Sequence, residues 1–316
     1  MSAQSQPNRA KAQHRLAQFY LRLWANPDGG INAQFRDGHQ ITTGSEALAV
    51  GSDFFTITRE DGTKDSLVEE RFLRAWDGRG ADLIGKLLAE QFPLSDDDRT
   101  TFGLFLGLQW LRGIHARRVS EEFHDLFTKL VVTAGLEQAP LPEDSAEADQ
   151  DRADGSIAVP SLGHLPEELK EILRDWDAYE FPLPQEQAIG QMVRGMPDAA
   201  SYFLDAEWLL FRFCDHSLFS SDEPLVLGRD EDPAPQALGL GNADVVLFPL
   251  SPTYCLAMNR ANPTGLENIL PGTPVLADEF NALQVHNGWW QQLYRHPEGP
   301  PFPSPPSLPE RRVILG

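Results

Sequence analysis

The stretch WLLFRFCDHSLFSSDEPLVL, residues 208–227, decides the fold. It contains two apolar runs, residues 208–213 and 225–227, and between them the polar loop Ser220-Ser221-Asp222-Glu223-Pro224. Short apolar runs bounded by Gly, Pro, Asn and Asp are typical of strands in an antiparallel sheet. Two further runs of this kind follow at residues 245–249 and 255–258. The C-terminal half is therefore predicted to hold an antiparallel sheet.

Around these runs the hydrophobic periodicity is mostly helical. Apolar residues recur at helical spacing in residues 13–24, 65–91, 99–118, 166–176, 185–195 and 279–295. Residues 77–78 are a candidate break in the second helix, and Ser95 is placed to cap the third. Residues 31–35 and 53–57 alternate as strands do, which predicts a small hairpin. The predicted fold class is α+β, a mainly helical N-terminal bundle with a small β-hairpin and a C-terminal antiparallel sheet covered by a last helix.

Two segments of unusual composition divide the chain. Residues 137–158 hold seven acidic residues and one basic residue without periodicity, which is typical of a disordered acidic linker. Residues 297–309 hold seven prolines, which predicts an extended tail that wraps its own domain or serves a proline-reading groove. We therefore expect a helical part with a β-hairpin at 1–136, the linker at 137–158, and a proline-rich tail at 297–316. Between linker and tail, residues 159–296 are expected to form helices and a sheet that pack on the first part as one compact unit.

Composition narrows the classes of function. The 316 residues are 41% hydrophobic, enough for a sizeable core, and no apolar run reaches the roughly 18 residues of a membrane span. Membrane association is therefore not expected, and a cytoplasmic location is. Cys214 and Cys255 are too few for a disulfide framework. The net charge of −21 repels phosphate backbones and argues against broad nucleic-acid binding, while screening leaves room for a local basic site.

Seven blocks of the sequence occur in an order that resembles a known family. Three of them are Gln109-Trp110-Leu111-Arg112, Phe219-Ser220-Ser221-Asp222-Glu223-Pro224 and Phe248-Pro249-Leu250-Ser251-Pro252. The other four are residues 14–22, Phe54-Phe55, Val68-Glu69 and Phe280-Asn281. Together they span nearly the whole chain and resemble the bacterial domain of unknown function family 4238. Because that family is named for having no assigned activity, the resemblance implies an uncharacterised bacterial protein and no particular reaction.

Several polar side chains interrupt apolar segments. They are His14, Glu69, Gln109, Arg112, Asp222 and Asn281. Buried polar groups are costly unless they are satisfied, so these positions are expected to make polar contacts in the core. If His14, Glu69 and Asp222 met at one point, their nitrogen and oxygen atoms would suit a divalent metal as cofactor. Arg112 would then stabilise a developing anion, as in a metal-assisted hydrolase or nuclease.

The same residues also fit a structural network. His14 can bond to backbone at a helix start, Glu69 and Arg112 can form a buried ion pair, and Asp222 suits an Asx-turn. Asn281 can cap a helix or bridge to a loop. The candidate binding residues are Gln109, Asn281 and Ser221. Whether the protein is an enzyme stays open: we favour a binding or regulatory protein with a structural polar network at its core and a protein partner, with the metal-assisted hydrolase or nuclease as the alternative.

Overall fold

The computed structural model describes residues 12–59, 61–137, 161–229, 238–261, 263–288 and 291–306. The described residues include both helices and strands, which confirms the α+β class. They belong to two compact units, one formed by the segments up to Arg117 and from Ile189 onwards, the other by Arg118–Ala188. The boundaries of these units fall inside two helices, and the acidic linker predicted at 137–158 lies outside the described residues except for its first residue.

Seven α-helices are described. They are α1 (Gln18–Arg22), α2 (Arg74–Leu88), α3 (Asp96–Leu111), α4 (Ile114–Glu137), α5 (Glu167–Arg174), α6 (Gln185–Leu204) and α7 (Pro274–Leu283). Short 3-10 helices lie at Ser45–Ala47 and Trp176–Ala178, and π-helical turns lie at Val68–Leu73 and Gln284–Gly288.

Thirteen strands are described, in four sheets. They are β1 (Ala12–His14), β2 (Ile31–Phe35), β3 (Gln40–Thr43), β4 (Val50–Ser52), β5 (Ile57–Thr58), β6 (Lys64–Asp65), β7 (Glu207–Arg212), β8 (Phe219–Ser221), β9 (Val226–Gly228), β10 (Val245–Ser251), β11 (Tyr254–Asn259), β12 (Asn268–Pro271) and β13 (Gln292–Arg295). The largest sheet has the order β12-β7-β11-β10-β9 and is antiparallel except for the parallel pair β12 and β7. A second sheet, β3-β2-β13-β8, joins strands from the two ends of the chain.

The N-terminal part is mostly strand, so the prediction of a mainly helical N-terminal bundle is wrong there. Residues 12–65 contain six strands and one five-residue helix, and the helices α2, α3 and α4 follow only afterwards. The helix predicted at 13–24 is short because Ala17 has an extended backbone conformation (φ −58°, ψ 131°). Before it, β1 pairs with β4, and the Gln13 amide bonds to Thr56 and to the backbone of Phe55.

The last predicted helix, residues 279–295, is two different structures. Helix α7 ends at Leu283, a π-helical turn follows, and β13 then pairs with β2 on one side and β8 on the other. Gly288 is the last residue of the π-helical turn. It has no room for a side chain, because a Cβ there would lie 2.6 Å from the carbonyl oxygen of Glu223. Val285 and Leu293 pack in one small cluster with Phe219. The apolar residues of this segment are spaced as on one helical face. However, Val285 belongs to the π-helical turn and Leu293 to a strand.

The long central helix is also divided. Ser95 caps α3 through a bond from the Asp98 backbone N–H, as predicted. However, α3 ends at Leu111 and α4 begins at Ile114, so the helix predicted at 99–118 breaks at Arg112-Gly113. Conversely, the candidate break at residues 77–78 lies within the continuous helix α2.

Aromatic side chains form the centre of the main core. Tyr20 of α1 stacks on Phe248 of β10 with ring centroids 5.3 Å apart. On α3, Phe102 stacks on Phe105 and meets Trp208 of β7 edge to face. Such pairs contribute about 0.5–1.5 kcal/mol each beyond the burial of their area. The core therefore fixes α1 and α3 against the large sheet.

The described part of the proline-rich tail packs on its own unit. Phe302 stacks on Phe219 at 6.2 Å, and the guanidinium of Arg295 lies 5.0 Å from the Phe302 ring centroid. These contacts agree with a tail that wraps its own domain. Residues 307–316 lie outside the described residues.

Candidate functional site

The polar segment at residues 220–224 begins in β8 and continues toward β9 inside the larger unit. Its four polar residues, Ser220, Ser221, Asp222 and Glu223, are all buried. Buried polar groups in folded proteins are nearly always hydrogen-bonded. The partners of this loop therefore show which segments it holds together.

Asp222 fastens the start of β13. Its carboxylate accepts hydrogen bonds from the backbone N–H groups of Gln291 (3.1 and 3.0 Å) and Gln292 (3.1 Å). Its own N–H donates to the carbonyl oxygen of Gln292 at 3.0 Å. Hydrogen bonds to a charged acceptor contribute about 1.5–3 kcal/mol each, so Asp222 is an anchor of the second sheet.

Ser221 and Asn281 hold the two sides of the same loop. The Ser221 hydroxyl accepts from the Glu223 N–H at 3.2 Å and from the Gln284 side chain. This is a serine turn, where the sequence suggested an Asx-turn at the next residue. Asn281 accepts from the Phe219 N–H and donates to the carbonyl of residue 217, both at 2.7 Å. Asn281 is therefore a bridge from α7 to a loop.

Glu223 caps the N-terminus of α4. Its buried carboxylate accepts from the backbone N–H of His115 at 3.0 Å. Burial, and then the neighbouring charge of Asp222, raise the pKa of Glu223 to about 8, while the helix N–H groups and Arg15 act in the opposite direction. Gly113 is needed here, because a Cβ at that position would overlap the Glu223 carboxylate. The contact between the Glu223 carboxylate and the start of α4 therefore accounts for the helix break after α3 and for the conformation of residues 220–224.

Arg112 directly follows α3, and its side chain is 1% exposed. Its Nη1 donates to Oδ1 of Asp77 at 2.7 Å. Among the described residues, no hydrogen-bond partner is found for its Nε or Nη2. The acidic partner is thus Asp77 on α2, where the sequence suggested Glu69.

Two half-buried groups, His14 and Glu69, interact electrostatically with this ion pair or with its Asp77 member. Burial lowers the pKa of His14, with Arg112 lowering it further and Asp77 raising it. Burial raises the pKa of Glu69, opposed by hydrogen bonds from Gln13 and the His14 backbone and supported by Asp77. His14 lies on β1, not at a helix start, and its Nε2 is 2.9 Å from the Gln18 amide nitrogen. We call His14, Glu69, Asp77 and Arg112 the arginine cluster.

The arginine cluster does not include the other predicted residues. Ser221, Asp222 and Asn281 make the contacts described above, and Gln109 is buried on α3. Among the described residues, one group of three His, Cys, Asp or Glu side chains has ligand atoms within 4.8 Å of one another, and it is His216, His296 and Glu298. The set predicted for a divalent metal, with Asp222 as its third member, is not such a group.

Comparison with protein families gives one finding. A family described as a protein of unknown function, DUF4238, matches residues 12–299. The chain belongs to the DUF4238 family. No match was found among the curated proteins or among the solved structures. The resemblance inferred from the seven sequence blocks is thereby confirmed.

For this DUF4238 chain, the described helices include none that is long and apolar enough to cross a membrane.

The sequence analysis missed the roles of two residues in this chain, Asp77 and Glu223. Asp77 was read as a helix break, although it lies on the same helical run as Glu69 and eight residues later, about two turns. Glu223 was read as part of a turn, although a buried acid opposite a Gly at a helix start is the arrangement that the helix dipole favours. Gly113 between two apolar helical segments was the available signal for it.

Proposed function

We propose that this DUF4238 protein binds a ligand through a carboxylate or phosphate group that is seated on Arg112. The observation that carries the proposal is the free edge of the buried guanidinium. Asp77 takes up Nη1, which leaves Nε and Nη2 with no partner among the described residues. These two nitrogens lie on one side of the guanidinium and form a planar fork that matches two oxygens of a carboxylate or phosphate.

Energetics support a ligand in this position. Leaving a buried donor unsatisfied costs about 1–3 kcal/mol, and more when the group is charged. Arg112 carries two such donors, so an oxyanion would recover both terms at once. The Asp77 pair fixes the guanidinium before the ligand arrives, which lowers the entropic cost of binding.

The arginine cluster also bears on charge balance. His14, Glu69 and Asp77 are each half-buried. Burial raises the pKa of Glu69, because the charged carboxylate is disfavoured away from water. The overall charge of −21 acts weakly here, because screening limits the influence of exposed charges to about 8–10 Å.

The test is a thermal-shift titration of the full chain with sodium phosphate and, separately, sodium acetate, each matched in ionic strength with NaCl. A ligand at ten times its Kd stabilises the folded state by about 1.4 kcal/mol. We expect one of the two anions, phosphate or acetate, to raise the Tm of the parent protein above its value in the NaCl reference. Arg112→Lys keeps the charge but removes the fork, so we expect it to lose most of this increment.

The matched control is Arg74→Lys, a change of the same kind on the exposed face of α2. It also corrects for the general stabilisation that phosphate gives by exclusion from the surface. An equal rise of Tm in the parent, Arg112→Lys and Arg74→Lys proteins would refute the anion seat. The response to phosphate against acetate distinguishes the two ligand classes.

The metal-assisted hydrolase or nuclease has less support as the alternative. It requires His14, Glu69 and Asp222 around one ion, and Asp222 is engaged with the backbone of Gln291 and Gln292. A binding role at Arg112 does not require Asp222 to be released from these contacts, and this is why we prefer it.

The finer expectations on cell biology belong to the same proposal. We place the protein in the cytoplasm, with a protein partner and a regulatory role for ligand binding. Its acidic surface supports a partner that is not a nucleic-acid backbone or an anionic lipid surface.

A further inference from the structure

We propose that His216, His296 and Glu298 form a binding site for a divalent transition-metal ion of the zinc class. This site is distinct from the arginine cluster. Its ligands come from two loops, the one between β7 and β8 and the one that follows β13. One ligand atom from each of the three side chains lies within 4.8 Å of the other two.

The distances leave only a small adjustment for metal binding. Zinc binds nitrogen and oxygen ligands at about 2.0–2.2 Å, so two ligand atoms on a tetrahedral ion lie about 3.4 Å apart. His216 Nδ1 and Glu298 Oε2 are already 3.4 Å apart. The two imidazole rings are stacked with centroids 3.9 Å apart and must rotate out of the stack to point at one ion. Both His216 and Glu298 have exposed side chains, 39% and 76%, so they are free to make this rotation.

The backbone of both loops is held in place. Arg295 donates from Nη1 to the carbonyls of His296 (3.2 Å), Pro297 (2.9 Å) and Gly299 (3.1 Å) and so clamps the turn that carries two of the ligands. Asn281 fixes the other loop through the carbonyl of the residue after His216.

Gly299 allows the two loops to approach closely. A Cβ at this position would lie 2.9 Å from the carbonyl oxygen of His216 and 3.1 Å from that of His296. Both contacts are closer than ordinary Cβ contacts. The glycine therefore permits the spacing that brings the two histidines together.

The surroundings of the site favour a cation. The cluster borders a cavity of about 240 Å³ whose lining includes Asp215, Asp278 and Glu298. Two imidazoles and one carboxylate select zinc and its neighbours over magnesium and calcium, which prefer oxygen ligands. Three protein ligands leave a coordination position open for water or a ligand molecule, which the cavity can admit.

The test is isothermal titration of the chelator-treated full chain with ZnCl₂ at pH 7.5, together with Co²⁺ absorption to report coordination by nitrogen ligands. We expect one equivalent of zinc to bind. His216→Ala should weaken binding by at least about tenfold, because loss even of a supporting partner costs 10–100-fold in metal affinity. Glu298→Gln preserves the side-chain shape and should weaken binding as well.

His286→Ala is the matched control, since His286 is an exposed histidine outside the cluster. It should bind zinc as the parent does. The His216 side chain is 39% exposed, so we expect His216→Ala to fold as the parent does, and circular dichroism checks this. Absence of zinc binding in the parent, or equal affinity in the parent and His216→Ala proteins, would overturn the proposal.

Discussion

Replacing Glu223 with Gln should change how the stability of the protein depends on pH. The carboxyl is buried at the start of α4, and its pKa is raised to about 8 from an ordinary value of 4.5. An acid whose pKa is raised on folding binds its proton more tightly in the folded state. Its contribution to stability is therefore present below pH 4.5 and is lost as the pH rises toward 8.

The size of the effect follows from the two pKa values. Linkage gives a loss of about 1.4 kcal/mol per pH unit between them, which integrates to about 3.5 kcal/mol between pH 5 and pH 8. Glu223→Gln has no proton to lose and should not show this loss. The free energy of unfolding of the variant, relative to the parent, should therefore increase by about this amount as the pH rises.

Urea unfolding at a series of pH values measures the effect, followed by the fluorescence of the buried Trp24 and Trp208. Only the slope with pH is diagnostic, since a buried Gln amide adds a constant offset. Other titrating groups, such as His14, contribute equally to both proteins and cancel in the difference. The control is Glu279→Gln, the same change of charge at an exposed position of α7.

Parallel curves for the parent and Glu223→Gln proteins between pH 5 and pH 8 would refute this reasoning. They would mean that Glu223 stays ionised in the folded state. In that case the N–H groups of α4 and the charge of Arg15 outweigh burial and the repulsion by Asp222.

Two further predictions concern stability. Asp222→Asn should lower the free energy of unfolding by about 2 kcal/mol, because the backbone N–H groups of Gln291 and its neighbour lose a charged acceptor; an unchanged urea midpoint would contradict the anchoring role. Gly80→Ala should destabilise α2 by about 1–3 kcal/mol, because its methyl group would overlap the Phe105 ring. Gly85→Ala in the same helix meets nothing within 4 Å and should stabilise by about 0.5–1 kcal/mol, so a shift of Tm in the same direction for both would be inconsistent with the packing.

Four of the five strands of the large sheet, all but β12, were predictable because each carries its signal locally. The apolar runs at 208–213, 245–249 and 255–258 coincide closely with β7, β10 and β11, and the cap at Ser95 was correct. By contrast, β13 pairs with β2, whose partner residues lie about 260 positions earlier in the chain. No local pattern encodes such a pairing, and the helical spacing of Val285 and Leu293 pointed to the wrong structure.

The partner of Arg112 was not predictable for a different reason. Glu69 and Asp77 both project from one helical run, and uniform helical geometry gives no ground to choose between them. The π-helical turn at Val68–Leu73 changes the angular step per residue, so it rotates Glu69 relative to the α-helical part that carries Asp77. Sequence periodicity does not reveal a π-turn, so the choice of ion pair required the structure.

The loop at residues 220–224 and the arginine cluster are linked through the junction of α3 and α4. Asp222 and Glu223 are adjacent but act on different segments: the first binds the start of β13, and the second caps α4. The cap fixes Gly113, and Arg112 is the preceding residue, so the position of the guanidinium depends on the contact that Glu223 makes. The structural carboxylate of Glu223 and the guanidinium of Arg112 are thereby parts of one arrangement. The conformation of the junction that suits the cap is also the one that presents the free edge of Arg112.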